Sequence, residues 1–402
     1  MEPGHALITG GGIAGPAIAF WLNRYGWQTT LVERAEAFRT GGQNVDIRGA
    51  AREVMRRMGL EDAALRRNTG ELGTQFVDRS GRVLAQFNAP RPGENDGPTA
   101  EMEILRGELS QLLLKQIDGH TTLVSGDHIS ALTDRGDGCE VYFEHGRDTV
   151  FDLVIVAEGT RSSTRELAFG RAQSPLTPVG LYMAWLGIPH QPHDTDWWRW
   201  FNAPGRRVAT LRPGQTRADT PGDTKATLSF ISDIPGLEQL EQHAQKQLLR
   251  EIFADAGWET PRILDALDET SWFLERLSQV HMKRWASGRV VLLGDSAWAP
   301  TPIAGKGTSS ALIGAFVLAQ QIADNSDHTQ AFRRYERMLH DYIRKTQRLP
   351  PGAPRLAHPK TSVGIDIMTT VARAVASAPV QKLRTVGSQM LPSTPDFRLP
   401  DN

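Results

Sequence analysis

Three glycines and one acidic residue near the start of the chain have the spacing of a dinucleotide site. Gly10, Gly12 and Gly15 follow the apolar segment His5–Thr9 with G-x-G-x-x-G spacing, and Glu33 ends the next apolar segment. The first glycine allows a tight turn, the second lets a pyrophosphate approach the backbone, and the third lets a helix pack on the strand. Amide groups at the helix start attract phosphate, and the acid accepts hydrogen bonds from ribose hydroxyls. Because strand, glycines, helix, strand and acid occur in this order, the sequence predicts dinucleotide binding.

The acidic residue restricts which dinucleotide can bind. Glu33 would repel a 2′-phosphate, which favours the free ribose of NAD or FAD. The residues around it do not separate these two cofactors. Ile13 and Ala14, between the second and third glycines, belong to the predicted site because they stand at the helix start.

A second stretch, Val290–Ile322, can also present backbone amides to a ligand. It joins an apolar run to a helix-like segment of small and apolar residues through a long turn with Asp295, Gly305 and Gly307. A simple strand-to-helix connection needs only a few residues. The longer turn, with glycines at the start of a helix, predicts contact with a small anion or a dipole.

Three other places combine charge with a turn or a helix start. Glu158 and Gly159 follow another apolar, strand-like run, as Asp295 does. Asp46 and Arg48 lie in a glycine-bounded loop, where a surface salt bridge is the simplest interpretation. Arg106 stands near the start of a predicted helix, where a cation is mildly unfavourable. Arg106 therefore either contacts a partner such as a phosphate group or is a solvent-exposed surface residue.

Alternating strands and helices carry these residues, and a second sheet interrupts them. From about residue 180, short runs rich in aromatic and β-branched residues are separated by Pro, Gly and Asp, which predicts antiparallel strands. We predict a discontinuous nucleotide-binding domain at 1–175 and 275–330, a β-sheet domain at 176–274, and a helical segment at 331–402.

Composition excludes several classes of function. The 402 residues carry a net charge of −1, which gives no electrostatic case for binding nucleic acid or an anionic membrane surface. A single cysteine, Cys139, excludes an internal disulfide framework and a multi-cysteine metal site, and we expect no metal. The sequence has no apolar run long enough to span a bilayer, so we expect a cytoplasmic protein.

Three landmarks occur in one order along the chain: GGGIAG…VER, VIVAEGTRSSTR and VLLGDSAWAPTPIAGKGTSSA. Together they resemble the FAD motifs of the class A, single-component flavoprotein aromatic hydroxylases, the para-hydroxybenzoate hydroxylase-like family. The compact subgroup that includes the tetracycline-inactivating monooxygenases is the most similar, and the resemblance covers nearly the whole chain. It implies an α/β fold with a Rossmann-like FAD-binding domain, a second, mostly antiparallel β-sheet domain for the substrate, and C-terminal helices.

The resemblance implies a role for each motif residue. Glu33 would bind the adenosine ribose, and Arg34 would lie beside the adenine. Asp46 and Arg48 would lie near the flavin ring, and Arg106 near the FAD phosphates. The remaining assignments are Glu158 and Gly159 in a motif linked to FAD and NAD(P)H, Gly294 and Asp295 at the ribityl chain, and Gly305, Gly307 and Thr308 at the N1–C2=O edge of the isoalloxazine.

The same resemblance implies the chemistry. NAD(P)H would reduce the flavin, O2 would form a C4a-hydroperoxide, and one oxygen atom would enter an aromatic or polycyclic small molecule. A helix start at the N1–C2=O edge would stabilise the negative charge that develops there. No side-chain nucleophile is needed. The sequence does not distinguish NADH from NADPH as the reductant, or a monomer from a homodimer.

Two sets of residues are candidates for the walls of the substrate pocket. By the resemblance, Pro302, Ile303 and Ala304 would form one wall. The candidates for the opposite wall, each of which ordinary sheet core would also explain, are Met183, Trp185, Trp200 and Phe230.

Departures from the family pattern leave alternatives open. Trp298 stands where the family has His, and Glu158 where it has Asp. These two departures leave open a different function, that of a non-redox cyclase that binds FAD. A Baeyer–Villiger oxygenase, an N-oxygenase and an epoxidase also stay open, because these differ from a hydroxylase in how the substrate is placed. An NAD-dependent dehydrogenase does not fit, since it needs no Gly-Asp segment far downstream.

Overall fold

The computed structural model describes residues 1–38, 41–90, 100–214, 222–377 and 397–400. Within them, the strands in chain order are β1 (His5–Thr9), β2 (Gln28–Glu33), β3 (Asn44–Asp46), β4 (Gly73–Val77), β5 (Val83–Asn88), β6 (Glu103–Leu105), β7 (Thr121–Ser125), β8 (Ile129–Asp134), β9 (Cys139–Phe143), β10 (Thr149–Phe151), β11 (Leu153–Val156), β12 (Leu176–Pro189), β13 (Trp198–Ala203), β14 (Arg207–Pro213), β15 (Asp223–Ile231), β16 (Trp272–Val280), β17 (Ala286–Ser287) and β18 (Val290–Leu292). The α-helices are α1 (Ala14–Arg24), α2 (Ala50–Arg57), α3 (Glu61–Leu65), α4 (Arg106–Ile117), α5 (Ser163–Phe169), α6 (Gln242–Phe253), α7 (Thr260–Asp265), α8 (Asp295–Trp298), α9 (Gly307–Asp324), α10 (His328–Thr346) and α11 (Ser362–Ala376). Among these described residues, every helix is too short or too polar to cross a membrane.

A six-stranded sheet forms the nucleotide-binding body, with strand order β17-β18-β11-β1-β2-β7. Its pairs are parallel except β17 with β18. β11 and β18 are wholly apolar and buried, and β1 is buried from Ala6 to Thr9, as a parallel sheet covered by helices requires. Thr9, Val156 and Leu292 end three adjacent strands in register. The segments that follow these strands therefore meet at one edge, where open α/β sheets bind ligands.

The second sheet has seven strands in the order β16-β12-β15-β14-β13-β4-β5. All pairs are antiparallel except β13 with β4. The sheet extends beyond the predicted segment 176–274, because β4 and β5 precede it and β16 continues to Val280. The boundary follows from a pairing between strands more than a hundred residues apart, which local sequence patterns do not reveal.

The seven-stranded sheet has two different faces. Tyr182, Ala184 and Leu186 alternate along β12 and pack in one core with residues of α6 and α7. Because neighbouring residues of a strand point to opposite faces, Met183 and Trp185 lie on the other side. We call this side the front face. Loop residues of the nucleotide-binding body reach the sheet, since Gln43 Nε2 donates to the Leu186 carbonyl at 3.4 Å.

The C-terminal segment contains two described helices. α10 packs on α9, and α11 packs on β5. The remainder of the predicted helical segment, 378–396 and 401–402, lies outside the described residues.

Candidate cofactor and substrate site

The three motif glycines have different surroundings. Gly10 has φ +101°, and a Cβ there would collide with the Ala157 carbonyl. A Cβ at Gly15 would collide with the Gly10 carbonyl and contact the side chain of Leu31. A Cβ at Gly12 would meet the Arg106 Nη2 at 3.2 Å and no other described atom within 4 Å. Gly10 and Gly15 therefore permit close packing, whereas Gly12 faces a space bordered by a guanidinium.

The start of α1, which adjoins this space, has no side-chain cap. Its N-cap residue, Ile13, provides no capping side chain, and the first turn, which begins at Ala14, has no acidic residue. The positive end of the helix dipole is therefore left for a ligand. Ser110 fixes the turn, because its hydroxyl donates to the Gly12 carbonyl at 3.0 Å. Sequence reasoning missed Ser110, which lies one helical turn after Arg106.

Glu33 is already held by backbone amides. Its two carboxylate oxygens accept from Gly11 N at 2.7 Å and from Ala35 N at 3.0 Å. Each oxygen keeps a lone pair that can accept a ribose hydroxyl. Arg34 is exposed at the end of β2, beside this carboxylate.

Glu158 binds the polypeptide itself. Its carboxylate accepts from the Ser162 hydroxyl at 2.7 Å and from the Thr164 amide and hydroxyl at 3.1 and 2.5 Å. It therefore closes the turn that leads into α5. The next residue, Gly159, donates its amide to the Ser296 hydroxyl at 3.0 Å, which joins this turn to the one after β18. Sequence reasoning missed Ser296, although it directly follows Asp295.

Asp295 lies between the starts of two helices. A Cβ at Gly307, the first residue of α9, would be 3.6 Å from the Asp295 Oδ1. A Cβ at Gly294 would be 3.3 Å from the Cβ of Ala14 in α1. Burial raises the pKa of the Asp295 carboxyl, and the charge of Arg106 opposes that rise. The carboxylate and the guanidinium thus border the same space.

The start of α9 resembles the start of α1. The N-cap residue Lys306 gives no capping hydrogen bond, and the first turn, with the half-buried Thr308, has no acidic residue. Burial lowers the pKa of the Lys306 ammonium, and the charge of Arg48 lowers it further. Gly305, with φ +60°, begins this turn near Asp46: an added Cβ would be 3.6 Å from the Asp46 Oδ2.

Asp46 and Arg48 form a largely buried ion pair, not the surface salt bridge of the simplest interpretation. The Arg48 Nη2 lies 2.8 Å from the Asp46 Oδ2. Ser309 connects both residues, because its hydroxyl accepts from Arg48 N at 2.9 Å and donates to the Asp46 carbonyl at 3.2 Å. The Asp46 Oδ1 is buried and has no hydrogen-bond partner among the described residues. Sequence reasoning missed Ser309, which directly follows Thr308.

Three of the four sheet residues predicted for the substrate wall lie on the front face. Met183, Trp185 and Trp200 are half-buried there. Phe230 is on the opposite face, where its ring stacks on Tyr182 with the centroids 5.4 Å apart. Phe230 is therefore a core residue, because its strand pairs with β12 in a register that turns it toward α6. In the other predicted wall of the substrate pocket, Pro302 and Ile303 are exposed and Ala304 is half-buried.

These groups match the chemistry of a flavin dinucleotide. Two uncapped helix starts and a guanidinium suit phosphates and an electron-rich ring edge, and two carboxylates suit ribose and ribityl hydroxyls. Across the described ranges, no group of three or more His, Cys, Asp and Glu side chains could hold a metal ion.

Comparison with known proteins agrees with this geometry. The family described as "FAD binding domain" matches residues 5–345. The chain belongs to this FAD-binding family. A flavin-dependent monooxygenase from an unidentified prokaryote is 34% identical over 346 residues, which cover 85% of this chain and 87% of the relative. One from Legionella longbeachae is 32% identical over 350 residues, or 85% of this chain and 86% of the relative.

Solved structures have the same fold. Tetracycline destructase Tet(55) is 29% identical, has a TM-score of 0.79, and covers 99% of this chain and 98% of its own. Klebsiella pneumoniae HpxO, solved in complex with FAD and uric acid, shares the fold at 21% identity, with a TM-score of 0.74 and coverage of 97% of each chain. The chain is thus an oxidoreductase of the flavin-dependent monooxygenase kind.

Proposed function

We propose that this flavoprotein uses NAD(P)H and O2 to insert one oxygen atom into an aromatic or polycyclic small molecule. The observation that carries the proposal is the proximity of the front face to the cofactor residues. Glu275 lies on the front face of β16, opposite Met183 of β12. Burial raises the pKa of its carboxyl, and the charges of Arg161, Asp295 and Arg106 also act on it. The front face and the cofactor residues therefore border one space.

Each end of this space has a distinct task in the proposal. The start of α1 and Arg106 hold the pyrophosphate, and Glu33 holds the adenosine ribose. Asp295 accepts hydrogen bonds from the ribityl chain. The start of α9, at Gly307 and Thr308, stabilises negative charge on the ring edge. Bound FAD would supply the hydride acceptor and the oxygen-activating centre.

The substrate lies between two walls in this proposal. Met183, Trp185 and Trp200 form the apolar wall on the sheet, and Pro302 to Ala304 form the other. Apolar walls exclude water, which strengthens the electrostatic action of the helix start. The similarity to Tet(55), at 29% identity over nearly the whole chain, supports a polycyclic substrate.

The departures from the family pattern do not favour a non-redox function. Glu158 closes the turn before α5, and Trp298 is buried in the core. Both substitutions have a structural use in this chain. Neither one supports a cyclase over an oxygenase.

The test combines a spectrum with cofactor consumption. The purified protein is expected to show flavin absorption that NADPH or NADH bleaches without oxygen. In air, one compound from a panel of tetracyclines and polycyclic phenols should accelerate NAD(P)H loss. Under 18O2, the same compound should gain one atom of 18O. A flavin that neither nicotinamide reduces, with or without ligand, would contradict the proposal and favour the non-redox alternative.

A further inference from the structure

One arginine lies on the front face of the seven-stranded sheet. Ala209 and Leu211 of β14 belong to the core beneath α6, so Arg212 points to the other side. Arginine is the side chain best suited to hold a carboxylate through two parallel hydrogen bonds. An unoccupied Arg212 would therefore favour substrates that carry a carboxylate.

Arg212 is instead held by two glutamates. Its Nε donates to the Glu71 Oε2 at 2.8 Å, and its Nη2 forms an ion pair with Glu103. The side chains of Glu71 and Glu103 are 0% and 1% exposed, and that of Arg212 is 13% exposed. The guanidinium also stacks over the Trp198 ring, 4.0 Å from its centroid. Carboxylates and an aromatic ring thus occupy the positions that a substrate carboxylate would use.

Asn44, a residue of the nucleotide-binding body, holds the cluster of Glu71, Arg212 and Glu103 in place. Asn44 Nδ2 donates to the Glu103 Oε1 at 2.7 Å and to the Pro213 carbonyl at 3.3 Å. Asp46 lies two residues after Asn44 in β3, on the same side of the strand, and adjoins Gly305. The group therefore borders the turn where the flavin ring and the substrate meet in the proposed function.

The cluster of Glu71, Arg212 and Glu103 carries a net negative charge. One guanidinium faces two carboxylates, and Glu275, whose carboxyl pKa is raised by burial, lies on the same face near the charges of Arg161 and Arg106. Arg48 is paired with Asp46, and Lys225 with Asp223. Lys306 lies at the start of α9, on the side of the cofactor. A carboxylate that entered here would lose its hydration, and the described cations on the front face of the sheet, Arg212 and Lys225, are already paired with carboxylates.

We propose that Glu71, Arg212 and Glu103 determine specificity by disfavouring aromatic substrates that carry a carboxylate at this wall relative to neutral substrates of the same shape. This inference rests on the proposed function. It adds the charge of the substrate, which that function leaves open.

The experiment compares acids with neutral compounds of the same shape. The holoprotein is titrated with 3-hydroxy-2-naphthoate and 3-hydroxy-2-naphthamide, and with the one-ring pair 4-hydroxybenzoate and 4-hydroxybenzamide, and the change in flavin absorption gives each Kd. We expect the amide of at least one pair to bind about tenfold more tightly than its acid. Acids that bind as well as their amides in both pairs would overturn the inference, and so would failure of both amides to bind.

A variant links the selectivity to the glutamates. Glu71→Gln removes one negative charge and should narrow the preference for the amide by about tenfold. Glu140→Gln, in the exposed ion pair with Arg135, is the matched control and should leave the preference unchanged. If Glu71→Gln fails to fold, the titrations of the unmodified protein still decide. Protein without flavin absorption contradicts the proposed function, whereas a flavoprotein that prefers acids contradicts only this inference.

Discussion

The indole of Trp298 lies directly against Gly314 of α9. A Cβ added at Gly314 would be 3.0 Å from the Trp298 Cζ2 and 3.1 Å from the Leu293 Cδ1. The indole is 1% exposed, and its ring centroid is 4.3 Å from that of Trp285. The glycine in α9 thus makes room for a tryptophan where the resembling family has a histidine.

This contact predicts that Gly314→Ala destabilises the protein although alanine favours helices. Overpacking against the indole should lower the free energy of unfolding by about 1–3 kcal/mol, measured by urea denaturation. Trp298→Phe should be destabilising alone and should reduce the effect of Gly314→Ala in the double variant. Additive effects of the two substitutions would show that the contact is not the cause.

Gly12→Ala and Gly15→Ala should separate cofactor binding from folding. The added methyl at Gly12 meets only the movable Arg106 side chain among the described atoms, so the protein should fold but lose FAD affinity by about tenfold or more. The methyl at Gly15 collides with backbone, so that variant should unfold at a lower temperature even without cofactor. Flavin content and thermal unfolding of the apoprotein measure both effects. Normal flavin content in Gly12→Ala would count against the assignment of the α1 start.

Asp295→Ala should weaken FAD retention. The substitution removes the carboxylate that lies beside the starts of α1 and α9, and we expect about a tenfold loss of affinity. The ratio of flavin to protein after gel filtration measures it. Asp324→Ala, at the exposed far end of α9, is the control. A full, stoichiometric flavin content in Asp295→Ala would contradict the assignment of Asp295 to the cofactor site.

The short motifs could be predicted because each is determined by residues that are close together in the sequence. The glycine turn, Glu33 and the strand before Asp295 each lie within a few residues, and the structure has them as expected. The face of Phe230 was not predictable, since it depends on the register between β12 and β15. The pairing of β4 with β13 joins segments far apart in sequence. Such pairings follow from packing of the whole chain, which no local pattern records.

His358, in the segment after α10, connects that segment to the front face of the sheet. Its Nε2 lies 2.9 Å from the Ser229 hydroxyl, and its Nδ1 lies 3.1 Å from the Pro354 carbonyl. A neutral ring that donates from Nδ1 and accepts at Nε2 satisfies both contacts. Burial lowers the pKa of this imidazole to about 4, which the Pro354 carbonyl opposes and the charge of Arg206 assists.

The lowered pKa predicts a loss of stability in acid that depends on this one residue. The folded pKa is about 4 and the ordinary value is 6.5, so the contribution is complete above the ordinary value and declines as the pH falls toward 4. Between about pH 7.5 and pH 5 the unfolding free energy should fall by about 2 kcal/mol through His358. Urea denaturation at both pH values should show this decline in the unmodified protein and a smaller one in His358→Gln. His340→Gln, in the exposed part of α10, should decline like the unmodified protein, and an equal decline in all three would exclude His358 as the cause.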